Sequence, residues 1–362
     1  MFFLFIGLSL ISSPGFCISI EKTANTSPLA TREPHQFLQT HLNFSEKDLV
    51  KMEDGKVVVK LFDEGDIENE VGVFGVVRVD TPKHVLLEQF RDIETFTESD
   101  VVKQIGKFSN PPRLEDLQPL TVGKNDQQDL KKCKPGDCKL KLNAAMMERF
   151  RSEIDWESPE HSEQVNALTR QMLFGYVTDY LQRGDAALGE YHDKDEPLQV
   201  AEAFQGIMDN SSFLAKYVPE FFTYIKNFPH GDLPGAEHFL YWSKEGVGLK
   251  PVIYLFHVFM YNRERSDRDN DVFIVTKQIY ANHYFEGYLS FTAFVGDDGG
   301  DDPAASYLMY LNRSRFDQLG GPLKGFILRV AKNRVRSGMK QYFGEVKDRL
   351  EAYAVKNRVV TQ

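Results

Sequence analysis

Residues 271–295 read DVFIVTKQIYANHYFEGYLSFTAFV. β-Branched and aromatic residues run through this stretch with no helical period, which predicts long strands with a bend near His283. The same texture extends outward. EHFLYWSKEGVG (237–248) and PVIYLFHVFMYNR (251–263) precede it, SYLMYLNRS (306–314) follows, and polar loops at RERSDRDND (263–271) and GDDGGDDPAA (296–305) separate the runs. Together they predict an antiparallel meander from about Ala236. Beyond it lies one long helix, residues 323–355, whose apolar positions Ile327, Ala331, Val335, Met339, Tyr342, Val346, Leu350 and Tyr353 advance by three or four.

Upstream of the meander, between about Asn143 and Leu233, the pattern turns helical. NAAMMERFRSEIDW, the long run from SEQVNAL to GDAAL, LQVAEAFQGIM and FLAKYVPEFFTYIKNF carry helical periodicity and Ala, Glu, Gln and Leu. Further back, GKVVVKLF and VGVFGVVRV predict a hairpin, and Thr81-Pro82 is the start signal for a helix over residues 83–96. VVKQIGKFS and CKLKL predict two more strands. Residues 25–48 lack a sustained apolar period and are expected to form a flexible tether, with folding from residue 49 to about 357.

The first residues, MFFLFIGLSLISSPGFCISI, have the profile of a signal peptide or anchor ending near Ala24, so the protein is expected to be exported, periplasmic or extracellular. Contact with a membrane is then expected only through this segment, if it stays uncleaved. The 362 residues carry 53 acidic against 43 basic side chains, a net charge of −10, which removes the electrostatic footprint of nucleic-acid binding. In an oxidising compartment the pair Cys133 and Cys138, flanking Pro135-Gly136-Asp137, is expected to be a disulfide clasp across a type II turn. Its spacing is not Cys-x-x-Cys, and no further cysteine completes a zinc site.

The order of elements resembles the START-like, or SRPBCC, helix-grip folds. The resemblance implies an α+β domain over residues 49–357, a curved antiparallel sheet gripping the C-terminal helix, with residues 143–233 as a large helical insertion. CKPGDC, YWSKEGVGLKP, TKQIYANHYF and NRSRFD also resemble segments of a family of exported bacterial proteins, a likeness that implies no activity.

No Gly-x-Ser-x-Gly elbow, His-Glu-x-x-His, phosphate loop or dinucleotide fingerprint occurs, and no cofactor is expected. Asp297, Asp298, Asp301 and Asp302 lack EF-hand spacing and read as a solvated loop. His257, Lys277 and His283 stand out as polar residues within strand sequences fit for burial, either as polar anchors in a pocket or as core groups with internal partners. Arg313 and Arg315 would hold an acidic head group at a cavity mouth, or pin a turn. Strand alternation puts Phe285, Leu289, Phe291, Ala293 and Val295 on one face and Tyr284, Tyr288, Ser290, Thr292 and Phe294 on the other. The first set is more uniformly apolar and is assigned to the interior. The expectation is a binding protein holding an apolar or amphipathic, lipid-like small molecule between sheet and helix. An enzyme using that cavity, with acid-base chemistry from His257, Lys277 or His283, is the alternative, as is a surface module without a cavity.

Overall fold

The computed structural model describes residues 33–62, 70–81, 83–211, 213–246, 250–264, 271–296, 306–317 and 324–360. The leader and the aspartate-rich loop at 297–302 lie outside them. So do Pro82 and, within the terminal helix, the side chains of residues 324–335.

The chain is α+β, as its alternating textures predict. The described residues begin with two helices, α1 (Glu33–Leu42) and α2 (Glu46–Glu53), followed by the hairpin β1 (Val58–Phe62) and β2 (Glu70–Val79). Next come α3 (His84–Arg91), α4 (Ile93–Phe96), β3 (Val102–Lys107), α5 (Lys124–Leu130), α6 (Ala144–Glu153) and α7 (His161–Arg183). A two-residue hairpin of β4 (Glu190–Tyr191) and β5 (Leu198–Gln199) leads into α8 (Val200–Asp209), α9 (Phe213–Tyr217) and α10 (Pro219–Lys226). The meander is β6 (Ala236–Glu245), β7 (Val252–Arg263), β8 (Asp271–Ala281), β9 (Phe285–Gly296) and β10 (Ser306–Phe316). α11 (Lys324–Val360) closes the chain.

Eight strands form one antiparallel sheet in the order β1-β2-β10-β9-β8-β7-β6-β3. The N-terminal strands therefore extend both ends of the meander. Ten consecutive residues of β7 and all eleven of β8 are buried, so the sheet is covered on both faces and its strands read as near-continuous apolar runs. On one face α11 packs Phe343, Val346 and Leu350 against Val77, Val258, Ile274, Phe294 and Leu308. Gly75 permits this approach, because a Cβ there would stand 3.0 Å from the Phe343 ring. On the opposite face α8 and α10 pack Phe204, Ile207, Phe221 and Tyr224 against Phe259, Phe273, Val275 and Leu289, and α7 covers the β6–β8 end.

Four expectations change. Residues 33–48 do not form a tether: Ser45 caps α2 in a capping box, and Leu38, Leu42, Phe44 and Leu49 are buried against β2 and the helical block. Short apolar spacing in two brief helices gave too little period to see. CKLKL forms no ladder, since Lys141 N–H bonds Asn282 and the Leu142 carbonyl accepts from His192, two partners on different segments. α3 starts at His84, with Lys83 at its N-cap making no side-chain cap bond. Buried Lys83 instead reaches Asp271 at 3.4 Å. Finally, the buried stripe of α11 runs through Phe343 rather than Tyr342, which is 38% exposed.

The turn at Pro135-Gly136 is as expected, with Gly136 at φ +82° and Cys133 and Cys138 at disulfide distance. Its backbone docks on the segment after β4, through Gly136 N–H to His192 and Cys138 N–H to Asp193. No helix among the described residues is long and apolar enough to cross a membrane.

Candidate functional site

Between α11 and the sheet lies a cavity of about 310 Å³. Its floor is the sheet face on which β8, β9 and β10 present Thr276, Tyr288, Ser290, Thr292, Leu308 and Tyr310. Its roof is Gly338, Met339, Tyr342, Phe343 and Val346 of α11, and Leu86, Phe90, Ile93 and Phe96 of α3 and α4 form one wall.

The floor is unusual for a buried sheet face because it is polar in a contiguous block. Cross-strand register sets Thr276 opposite Ser290 and Ser290 opposite Asn312, while Ile274, Thr292 and Tyr310 form the next row. The Tyr288 and Tyr310 hydroxyls hydrogen-bond at 2.8 Å, Asn312 Nδ2 donates to the Tyr310 hydroxyl at 3.4 Å, and Ser314 Oγ donates to Asn312 Oδ1 at 2.8 Å. Burial pushes the Tyr288 and Tyr310 phenols up, so both stay protonated and able to donate. Two residues along β8 from Thr276, on the same face, Gln278 is 2% exposed and neither end of its amide has a hydrogen-bond partner. Glu245, on this face of β6, accepts from Ser243 at 2.6 Å, and burial raises its carboxyl above the usual range.

The apolar residues chosen from the sequence lie elsewhere. Leu289 and Phe291 face the helical block, against Met208, Val218, Phe221 and Ile225, and the gap there is only about 10 Å³. Phe285 does reach the α11 side, beside Tyr254 and Phe316, because pairing of β9 with β10 shifts register between Arg315 and Phe316 and breaks the alternation. The parity assignment is thus reversed for Leu289 and Phe291. The most apolar face packs against the helical block, while the face under α11 carries the hydroxyl groups.

His257 and Lys277 are cross-strand neighbours on the helical-block face. Nδ1 of His257 meets the Tyr180 hydroxyl at 3.0 Å and Nε2 meets His238 Nδ1 at 3.0 Å. Burial, with His238 and Lys277 adding to it, pushes the imidazole well below its ordinary value. Lys277 is ion-paired with Asp185 and lies 3.6 Å from the centre of the Phe204 ring; burial pushes it down to about 8 against the pull of Asp185. His283 sits at the β8–β9 turn, its Nδ1 3.0 Å from the Lys139 carbonyl and its Nε2 3.1 Å from Asp126. Arg313 pairs with Glu70 at 2.8 Å and Arg315 with Glu286 at 3.0 Å, also toward the helical block. None of these five is among the residues lining the cavity.

Sequence reasoning missed Thr276, Gln278, Tyr310 and Gly338, and set Tyr288, Ser290 and Thr292 aside. The available signal was their polarity within strands whose two faces were both expected to be covered. Among the described residues no group of three or more His, Cys, Asp or Glu side chains is placed to hold a metal ion. No protein-family model matches the chain, and no curated protein matches it.

Proposed function

We propose that this protein is an exported carrier of START-like, helix-grip type, which holds one small apolar or amphipathic molecule between its sheet and α11. The observation that supports it is the cavity of about 310 Å³ where that architecture would place a ligand, at the lower end of the roughly 300–1,000 Å³ usual for small-molecule sites. Aromatic and aliphatic walls supply burial, and the floor supplies orienting hydrogen bonds. That volume suits a single ring system or a short chain rather than a two-chain lipid. The Cys133–Cys138 pair fits an oxidising compartment.

Acid-base chemistry by His257, Lys277 or His283 would need them in this cavity, and each is engaged on another side of the sheet or its turns. The binding reading is therefore the better supported one. Native mass spectrometry of protein purified without detergent is expected to show one bound small molecule per chain, recoverable by organic extraction. Protein that carries none and shows no saturable uptake of neutral apolar dyes would refute it.

A further inference from the structure

The cations singled out from the sequence lie on the far side of the sheet and are already matched: Arg313 with Glu70, Arg315 with Glu286 and Lys277 with Asp185. The described lining of the cavity instead offers hydroxyls, from Thr276, Ser290, Thr292 and the Tyr288–Tyr310 pair. A hydroxyl both donates and accepts, so it can satisfy an alcohol, carbonyl or amide without bringing charge. Among the described residues the lining holds no cation, and Arg349, at its Phe96 edge, gives its guanidinium to the Phe96 and Glu345 carbonyls, so a carboxylate on the hydroxyl floor would be desolvated without a direct counter-ion, which is costly. Glu245 adds to that cost. Its carboxylate lies on the same sheet face, near enough for its charge to act on the phenols of Tyr241 and Tyr310. The unpartnered Gln278 amide, buried beside this floor, points the same way: it can bond a neutral polar group through either end.

We infer that the cavity selects an uncharged ligand, a small ring or chain compound whose hydroxyl, carbonyl or amide group bonds the Thr276–Ser290–Thr292 and Tyr288–Tyr310 floor, over a carboxylate of the same size. This rests on the carrier reading above. Shape comes from the rings around the cavity, and polarity from the floor.

Fluorescence titration of the full chain at pH 8 with naphthalene, 2-naphthol and 2-naphthoate tests it. Wild-type protein is expected to bind 2-naphthol at least about tenfold tighter than 2-naphthoate and measurably tighter than naphthalene. In Ser290→Ala/Thr292→Val, which leaves shape nearly unchanged, 2-naphthol binding weakens about fivefold while naphthalene binding holds. Tyr288→Phe/Tyr310→Phe provides a second, independent pair with the same expectation, and thermal melts confirm folding of both. Equal affinity for naphthol and naphthoate, or unchanged naphthol binding in both folded double variants, would overturn the inference while leaving the carrier reading intact. Saturable binding of none of the three probes would overturn both.

Discussion

His257 must stay neutral to stay buried, and this makes it a source of acid sensitivity. Its folded-state pKa lies well below 6.5, so below about pH 6.5 the unfolded chain takes up a proton that the folded chain refuses. Stability from this group is complete above that pH and is lost as pH falls, by up to about 1.4 kcal/mol per unit. Urea denaturation at pH 7.5 and 5.5 should therefore show a loss about 1 kcal/mol larger for wild type than for His257→Leu; equal losses would mean that the ring is already protonated or solvated. Lys277 acts in the same sense in a higher pH window. With a folded pKa of about 8, its charged form is disfavoured by folding, so its contribution to stability rises between pH 8 and the ordinary lysine range near 10.5. Its pair with Asp185 is asymmetric, since the lysine is buried and the aspartate is 43% exposed. Asp185→Ala strands a buried cation and should cost about 3 kcal/mol, whereas Lys277→Met frees a carboxylate to water and should stay within about 1 kcal/mol of wild type. Comparable losses in the two variants would contradict this. Sequence alone marked both residues as out of place in apolar strands. Their partners, Tyr180 and Asp185, are 77 and 92 residues away, and no local pattern carries that information.

Among the elements, β9 teaches the sharpest lesson. Alternation sorted its residues into two sets apart from Phe285, which the register shift moves across, but apolarity could not say which set meets α11, because both faces of the sheet are covered. The face packed on the helical block is the more uniformly apolar one, whereas the face beside the cavity carries hydroxyl groups that no close packing of side chains covers. α11 shows a similar division. Phe343 seats on the glycine gap at Gly75, and Phe343→Ala should cost about 3–5 kcal/mol by calorimetry. A loss below about 1 kcal/mol would show that the helix is not anchored there. The clasp of Cys133 and Cys138 was fully legible, since its turn chemistry is local. Replacing both by serine should cost about 2 kcal/mol or less and leave ligand affinity unchanged, because the turn docks beside β4 and away from the cavity.

At the scale of the whole molecule, the order of textures announced a strand-rich chain with a helical block and a terminal helix, and those elements lie close to their expected bounds. What sequence order could not give was lateral placement. β1–β2 joins the meander through β10 and β3 joins it through β6, pairings across more than a hundred residues. Those long-range pairings build a sheet wide enough to carry the helical block on one face and α11 on the other, and the cavity lies between the sheet and the described α11 residues 338–346. The most direct test of that claim is a glycine on the roof. Gly338 is exposed at the cavity's rim and a Cβ there meets no heavy atom within 4 Å, so Gly338→Trp sets an indole over the cavity mouth from a helical position where glycine costs roughly 1 kcal/mol in propensity. Titration with the neutral dye Nile red should give saturable one-site binding to wild-type protein and none to Gly338→Trp, with the variant melting no earlier than wild type. Undiminished binding in the folded variant would contradict the account.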